Sequence, residues 1–248
     1  MQNWQFRPAN DLGLPLRQQL RSVRRENGLF NVLTHFAWGA ASAVYLKIAH
    51  RLAIDGRQHL PKSGSFVMVA NHASHLDTIV LASAMKWRMQ SRVFPVAAGD
   101  TFFSTTLAGT FSALLINALP MWRNRTSSHG LADLRDRLTQ ESCVYIVFPE
   151  GTRTRTGSMS SFKPGIGMLV AGTNVPIVPC RLIGTFQALP FNRRLPKPTK
   201  LRLTIGQPLL FDQISNDRPG WDTVAASTES AVAALSETTC SGRMPATQ

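Results

Sequence analysis

Residues 66–81 read FVMVANHASHLDTIVL, and this stretch gives the first indication of a fold. The continuous apolar run Phe66–Ala70 is typical of a short strand buried inside a sheet. Ser74 and Asp77 then stand just before a second apolar run, in the spacing of a capping box that opens a helix. The stretch therefore predicts a strand–loop–helix unit with His72 in its loop, where sites of α/β proteins usually form.

His72 and Asp77 have the residue types of a general base and its orienting carboxylate. Residues five apart on a regular helix lie on different faces, so the two meet only if His72 precedes the helix and the loop folds back. The positive end of the helix dipole would keep the imidazole neutral, as a base requires. The alternatives are that Asp77 only caps the helix, or that His75 is the base, although it has no evident orienting acid.

From residue 64 onward, strand and helix patterns alternate along the chain. The expected strands are 65–70, 92–98, 143–148, 175–182 and 200–205, and the expected helices are 77–88, 128–140, 164–173 and 222–236. Such alternation predicts an α/β layered fold, with a mixed, mostly parallel sheet flanked by helices. The prolines that bracket the strand pattern Val175–Pro179 favour an edge or wall element that takes no part in the chemistry.

Three regions are expected along the chain: an N-terminal helical segment (1–50), an α/β core (51–212), and a C-terminal helix with a loose polar tail (213–248). The N-terminal segment is basic as far as residue 27, and residues 29–48 are then apolar with polar interruptions. This pattern favours a helix lying in a membrane interface over one that crosses the bilayer. A helix buried in the core is the open alternative.

The second motif follows the apolar run Val144–Phe148, where the chain continues as Pro149-Glu150-Gly151-Thr152-Arg153. Glycine admits close backbone approach, threonine donates a hydroxyl hydrogen, and arginine binds phosphate with two parallel hydrogen bonds. The loop therefore predicts an anion site. Glu150 is unexpected beside an anion unless it binds a ligand donor or anchors Arg153, and a surface turn with a Glu–Arg pair is the alternative.

Composition narrows the class of protein. The chain has 248 residues, 44% hydrophobic content and a formal net charge of +13, which indicates a globular protein suited to anionic partners. Residues 181–203 contain six basic residues and no acidic one: Arg181, Arg193, Arg194, Lys197, Lys200 and Arg202. Three distant cysteines make neither a zinc site nor a disulfide framework, and the N-terminus lacks a signal-peptide pattern, so a reducing compartment is expected.

Three segments, Asn71–Asp77, Phe148–Arg153 and Val175–Pro179, together resemble the glycerophospholipid acyltransferases in order and context, over residues 50–210. The resemblance implies transfer of a fatty acyl group from acyl-CoA or acyl-carrier protein to a hydroxyl of a lysophospholipid. Its expected acceptor is 1-acylglycerol-3-phosphate, which gives phosphatidic acid. It implies no cofactor or metal beyond the acyl donor.

The resemblance also implies roles for individual residues. His72 would be the general base with Asp77 orienting it, and Glu150, Gly151 and Arg153 would bind the acceptor. Thr152 belongs to the same predicted binding loop, and Arg123 matches the arginine that closes the family's second block. The segment 97–103 departs from the family, because it lacks the basic residue often found there.

Other readings remain open. The acceptor could be another lysolipid, such as a lyso-ornithine lipid, or Ser74 could serve a hydrolase, although no Gly-x-Ser-x-Gly elbow is present. A non-catalytic basic protein that binds membranes or nucleic acid is a further alternative. Nucleic acid is not an expected partner, because interleaved aromatics and a helix-turn-helix pattern are missing from the sequence. The expected location is the cytoplasmic face of the cell membrane, with an anionic membrane surface as partner.

Overall fold

The described residues form one seven-stranded sheet. The computed structural model describes residues 29–98, 119–121, 128–193 and 195–241. In these residues the strands are β1 (Ala53–Asp55), β2 (Phe66–Ala70), β3 (Val93–Ala98), β4 (Leu119–Met121), β5 (Val144–Val147), β6 (Ile177–Ile183) and β7 (Arg202–Ile205). Their order across the sheet is β1-β7-β6-β2-β5-β3-β4.

Most of the sheet is parallel. β2 pairs in parallel with both β5 and β6, and β3 pairs in parallel with β5 and β4. β7 runs antiparallel to β6 and carries β1 beside it. This confirms the predicted mixed, mostly parallel sheet. It also brings the carboxyl ends of β2, β5 and β6 to one edge, so the loops that follow these strands are neighbours.

Helices cover both faces of the sheet. They are α1 (Leu29–His50), α2 (Leu76–Ser83), α3 (Ser128–Gln140), α4 (Gly165–Val170), α5 (Thr185–Ala188) and α6 (Arg218–Ser241), with 3₁₀ turns at Arg57–His59 and Trp87–Arg92. On β2, Phe66, Met68 and Ala70 pack against the α1, α2 and α5 side. Val67 and Val69 pack against the α3, α4 and α6 side. Because both faces of β2 are buried, its sequence is apolar throughout.

The five predicted strands and the predicted helices are present, with three corrections. The expected helix 77–88 ends at Ser83, and a 3₁₀ turn occupies Trp87–Arg92. The short strands β1 and β4 were not predicted. The predicted edge position of Val175–Pro179 is wrong, because β6 lies between β2 and β7. Pro179 has no N–H to donate to a neighbouring strand. Its carbonyl accepts from the N–H of Gly206, just beyond the end of β7, so the missing donor falls where the pairing with β7 has already ended.

Among the described residues, no helix combines the length and the apolar character needed to cross a bilayer. α1 packs by one side only. Its buried positions are His35, Ser42, Leu46 and His50, whereas its exposed large apolar side chains are Leu33, Phe36, Val44, Tyr45 and Ile48. The helix is therefore not wrapped by the core, and several of its large apolar side chains face away from the protein.

Candidate active site

His72 and Asp77 meet at the carboxyl end of β2. Nδ1 of His72 lies 2.9 Å from Oδ2 of Asp77, and the Asp77 side chain is fully buried while that of His72 is 16% exposed. An ionised carboxylate can only accept a hydrogen bond, so Nδ1 carries the proton. Nε2 is then the ring nitrogen with a free lone pair. This is the tautomer that a general base requires.

Asp77 also holds the start of α2. Its Oδ2 accepts hydrogen bonds from the backbone N–H groups of Ala73 (2.6 Å) and Ser74 (2.8 Å). The Ser74 hydroxyl oxygen in turn accepts from the N–H of Leu76 at 3.2 Å. Ser74 and Asp77 therefore form hydrogen bonds at the start of α2 as expected, but the N-cap residue is His75 and not Ser74, and the regular helix begins at Leu76. Asp77 therefore caps the helix and orients His72 with one carboxylate oxygen.

The loop after β5 fixes the position of His72. The imidazole stacks on the Phe148 ring, with centroids 4.0 Å apart and the planes inclined by 15°. The backbone N–H of His72 donates to Oε1 of Glu150 at 2.7 Å, and its carbonyl accepts from the N–H of Thr154 at 2.9 Å. The two motifs found in the sequence are thus joined, because neighbouring parallel strands deliver their loops to the same edge.

Glu150 lies between the two loops that form the site. Its carboxylate is buried, and Oε2 accepts from the N–H of Ser160 at 2.9 Å while Oε1 accepts from His72. Among the described residues it forms no ion pair with Arg153. Burial raises the pKa of Glu150, and the two backbone hydrogen bonds oppose that rise. Each carboxylate oxygen accepts one of these backbone hydrogen bonds, so Glu150 joins the loop after β2 to the loop after β5.

Arg153 is a half-buried cation that interacts electrostatically with His75 and Asp77. Its guanidinium lies over the Phe191 ring at 5.0 Å, next to Arg155, which lies at 5.4 Å from the same ring. Desolvation lowers the pKa of Arg153, and the charge of Asp77 opposes this change. Within the described part of the chain, Arg153 has no ion-pair partner. A partly desolvated guanidinium of this kind is suited to an anionic ligand.

The rival assignments fit this geometry less well. The pKa of His75 falls to about 4, because neighbouring atoms desolvate the ring and the positive charge of Arg153 disfavours its protonation. The side chain keeps an exposed edge, but a group with that pKa is a weak base at neutral pH. Ser74 is fully buried and serves the helix cap, so its hydroxyl is not placed as a nucleophile.

Gly151 and Lys163 form a contact that the sequence did not reveal. Gly151 has a φ of +76°, which favours glycine, and an added Cβ would lie 2.8 Å from Nζ of Lys163. The Lys163 ammonium therefore lies directly against the loop that carries Arg153. The N–H of Lys163 donates to the Pro149 carbonyl at 3.0 Å, which holds this lysine beside the loop. The stacking role of Phe148 was missed too, since neither contact has a signal in local sequence spacing.

The remaining predicted residues are less constrained. Thr152 is exposed in the loop between Gly151 and Arg153. Arg123 lies outside the described residues. Asn71 was read only as the end of a strand, yet its buried amide bonds both the N–H (2.8 Å) and the carbonyl (3.1 Å) of Leu182. This amide ties β2 to β6 directly below His72.

Comparison with known proteins gives a consistent picture. The human protein named 1-acyl-sn-glycerol-3-phosphate acyltransferase alpha is 31% identical over 131 residues, which are 52% of this chain and 44% of that protein. A chloroplastic 1-acyl-sn-glycerol-3-phosphate acyltransferase from Arabidopsis thaliana is 29% identical over 159 residues, 63% of this chain and 42% of that protein. The chain thus spans less than half the length of these relatives.

The fold also has a solved counterpart. The crystal structure of the 1-acyl-sn-glycerophosphate acyltransferase from Thermotoga maritima superposes with a TM-score of 0.62 at 22% identity, over 83% of this chain and 79% of that one. A family model described as "Acyltransferase" matches residues 51–183, the segment from β1 to the end of β6 that contains both motifs. Because this match covers more than half of the sequence, the chain belongs to the acyltransferase family.

Proposed function

We propose that this protein transfers a fatty acyl group from acyl-CoA or acyl-carrier protein to the hydroxyl of 1-acylglycerol-3-phosphate, giving phosphatidic acid. The observation that carries the proposal is the His72–Asp77 pair, held at the same end of the sheet as the guanidinium of Arg153, which forms no ion pair with any described residue. A base and an anion site together suit an acceptor that has both a hydroxyl and a phosphate. The names of the curated relatives support the same acceptor.

The proposed chemistry is a direct transfer. Nε2 of His72 takes the proton of the acceptor hydroxyl as its oxygen attacks the thioester carbonyl, and Asp77 stabilises the imidazolium that forms. The tetrahedral intermediate then collapses, the carbon–sulfur bond breaks, and the imidazolium returns its proton to the departing thiolate. The products are the acyl ester and the free thiol. Neither a cofactor nor an acyl-enzyme is needed, because a thioester is already an activated donor.

Positively charged groups would hold the acceptor. Arg153 and Lys163 would bind its phosphate, assisted by the exposed Thr152 and by the close backbone approach that Gly151 permits. We assign Arg123 to the same task from its match to the family's arginine. Fixing the phosphate would bring the hydroxyl to His72, which converts an encounter in solution into a positioned reaction.

Lipid mass spectrometry tests the reaction and names the acceptor. The protein is incubated with acyl-CoA and a mixture of lysolipids that contains lysophosphatidate and a lyso-ornithine lipid. We expect new phosphatidic acid, and His72→Ala should lower its formation by about 10²–10⁴-fold. His75→Ala should retain most turnover. A new ornithine lipid would keep the chemistry and change the acceptor, whereas an active His72→Ala variant would sink the base assignment.

Steady-state kinetics test the anion site. Arg153→Ala should raise the KM for the acceptor well above any change in the KM for the acyl donor. Arg155→Ala is the matched control, since Arg155 is exposed and lies over the same Phe191 ring. A larger effect on the donor KM than on the acceptor KM would reassign Arg153 to the acyl donor.

We further propose that α1 lies on the membrane, at its cytoplasmic face. The exposed side of α1 carries five large apolar side chains, those of Leu33, Phe36, Val44, Tyr45 and Ile48, whereas its buried side holds the polar His35 and Ser42 as well as Leu46. A helix that packs only against a protein core normally turns its large apolar side chains inward. The exposed side would therefore enter the headgroup boundary of the bilayer. The free, buried thiols of Cys143 and Cys180 support a reducing compartment.

Vesicle co-sedimentation tests the role of α1. Ile48 is 75% exposed, so Ile48→Ser should leave the fold intact while weakening partition into vesicles by about tenfold, from the loss of one buried aliphatic side chain. Leu210→Ser removes a similarly exposed side chain elsewhere and is the control. Equal partition of both variants and the wild type would contradict the assignment.

A further inference from the structure

A second surface next to the active site combines exposed apolar side chains with uncompensated positive charge. We call residues 191–193 and 195–200 the rim loop. Phe191 and Leu195 are 52% and 75% exposed, and the rim loop also exposes three basic side chains, those of Arg193, Lys197 and Lys200. Among the described residues these three form no ion pair, and residues 181–203 contain no acidic side chain.

The rim loop connects the candidate site with α1. At its beginning, the Phe191 ring lies beneath Arg153 and Arg155. At its end, the carbonyl of Thr199 lies 3.1 Å from Nδ1 of His50, the last residue of α1, and the N–H of Leu201 donates to the His50 carbonyl at 3.0 Å. In between, the N–H of Lys197 donates to the Ala188 carbonyl at 2.8 Å. The loop is thus anchored at several points.

This combination fits one kind of partner. A single exposed leucine is ordinary on a protein surface, so the exposure of Leu195 alone means little. Next to it, however, the basic side chains of the rim loop form no ion pair with any residue that the structure describes. The surface also continues at one end into the proposed membrane helix. Basic residues bind anionic headgroups and adjacent apolar side chains enter the headgroup boundary. A small soluble ligand would need the charges but not the projecting leucine.

We propose that the rim loop is a second contact with the bilayer, specific for anionic lipid surfaces, which brings Arg153 to the level of the lipid phosphates. An acceptor lipid then moves from the bilayer past Phe191 to His72. Its phosphate moves from the basic side chains of the rim loop to that of Arg153. The proposed membrane contact depends only on the exposed apolar and basic side chains of the rim loop. The delivery of acceptor rests on the proposed function.

Vesicle binding by the full chain tests the contact. The variant Leu195→Ser/Lys197→Ser removes one exposed leucine and one lysine from the rim loop. The variant Lys62→Ser/Leu210→Ser removes the same two residue types at the end of the sheet away from the candidate site. Lys62 precedes β2, and Leu210 follows Leu209, which pairs with Ile177 at the start of β6. Both are compared with wild type on vesicles of phosphatidylcholine with and without phosphatidylglycerol, after circular dichroism has shown equal folding.

We expect the rim-loop variant to lose at least about fivefold in partition to the anionic vesicles, with little change on neutral ones, while the control variant matches wild type. Equal binding by all three proteins overturns the proposal. Equal loss by both variants also overturns it, because a general charge effect would then suffice.

Kinetics separate this inference from the proposed function. The rim-loop variant should convert a short-chain, monomeric lysophosphatidate at the wild-type rate and show a raised apparent KM only for acceptor embedded in anionic vesicles. If no acceptor is acylated, the proposed function fails while the sedimentation result still decides the membrane contact. The rim-loop variant could also sediment like wild type and turn over more slowly only when acyl-carrier protein is the donor. This result would assign the loop to binding that acidic protein and would overturn the lipid contact.

Discussion

The Oδ2 atom of Asp77 accepts three hydrogen bonds, from the imidazole of His72 and from the N–H groups of Ala73 and Ser74. Oδ1 is buried and has no hydrogen-bond partner among the described residues. Three donors on one oxygen stabilise its negative charge where an imidazolium would form during the reaction. The structural and the catalytic contributions of this residue can therefore be separated by substitution.

Asp77→Asn should keep an acceptor for the two backbone N–H groups and lose the negative charge. We expect turnover to fall by about 10²-fold or more while the free energy of unfolding changes little. Asp77→Ala removes the acceptor as well and should cost a further 1–3 kcal/mol, roughly, of stability. Urea unfolding and single-turnover rates measure the two effects. If Asp77→Asn turns over like wild type, Asp77 only caps α2.

Lys163 offers a second test at the level of single residues. Its ammonium lies against Gly151, so Lys163→Met should remove a charge from the acceptor site without emptying the space beside the loop. A charge-assisted hydrogen bond contributes about 1.5–3 kcal/mol, which corresponds to an acceptor KM raised by about tenfold or more. Lys62→Met is the control. A rise confined to the donor KM would contradict the role assigned to Lys163.

At the level of elements, the loop after β5 holds His72, which follows β2. Glu150 is part of this contact, and its protonation makes the contribution of the contact to stability depend on pH. Burial raises its pKa above the value of about 4.3 for a free glutamate. The folded state therefore binds this proton more tightly than the unfolded state does. Stability from this group is full below about pH 4.3 and is lost as the pH rises through the raised pKa.

Glu150→Gln lacks this titration. The free energy of unfolding of wild type minus that of Glu150→Gln should decrease as the pH rises from about 4 and level off above the pKa of Glu150. Urea unfolding at a series of pH values measures it, and Glu141→Gln gives the baseline for an exposed glutamate. A difference that increases with pH would mean that the backbone hydrogen bonds outweigh the cost of burial.

The elements also show why some features were predictable. β2 and β5 are continuous apolar runs, so their burial could be read locally, and His72 and Asp77 lie close enough in sequence for their pairing to follow from one cap. β1 and β4 have three residues each, too few for a periodic pattern. The contacts of Phe148 with His72 and of Lys163 with Gly151 join distant segments, and only the parallel pairing of the strands brings them together.

At the level of the whole molecule, the net charge of +13 and the apolar side of α1 imply two different forces on one membrane. Coulomb attraction between the rim loop and anionic lipid weakens as salt shortens the screening length, from about 10 Å at 0.1 M to about 3 Å at 1 M. Burial of Ile48 in the headgroup boundary does not depend on charge. Salt therefore distinguishes the two contacts in an intact protein.

Partition into anionic vesicles should fall with rising salt for wild type. Ile48→Ser should bind more weakly at every salt concentration with the same slope against salt, because it lacks apolar area and keeps every charge. Leu195→Ser/Lys197→Ser should show a shallower slope, because one of the cations facing the bilayer is gone. Co-sedimentation over a salt series gives all three slopes. A shallower slope for Ile48→Ser than for the rim-loop variant would exchange the two assignments, making α1 the electrostatic contact.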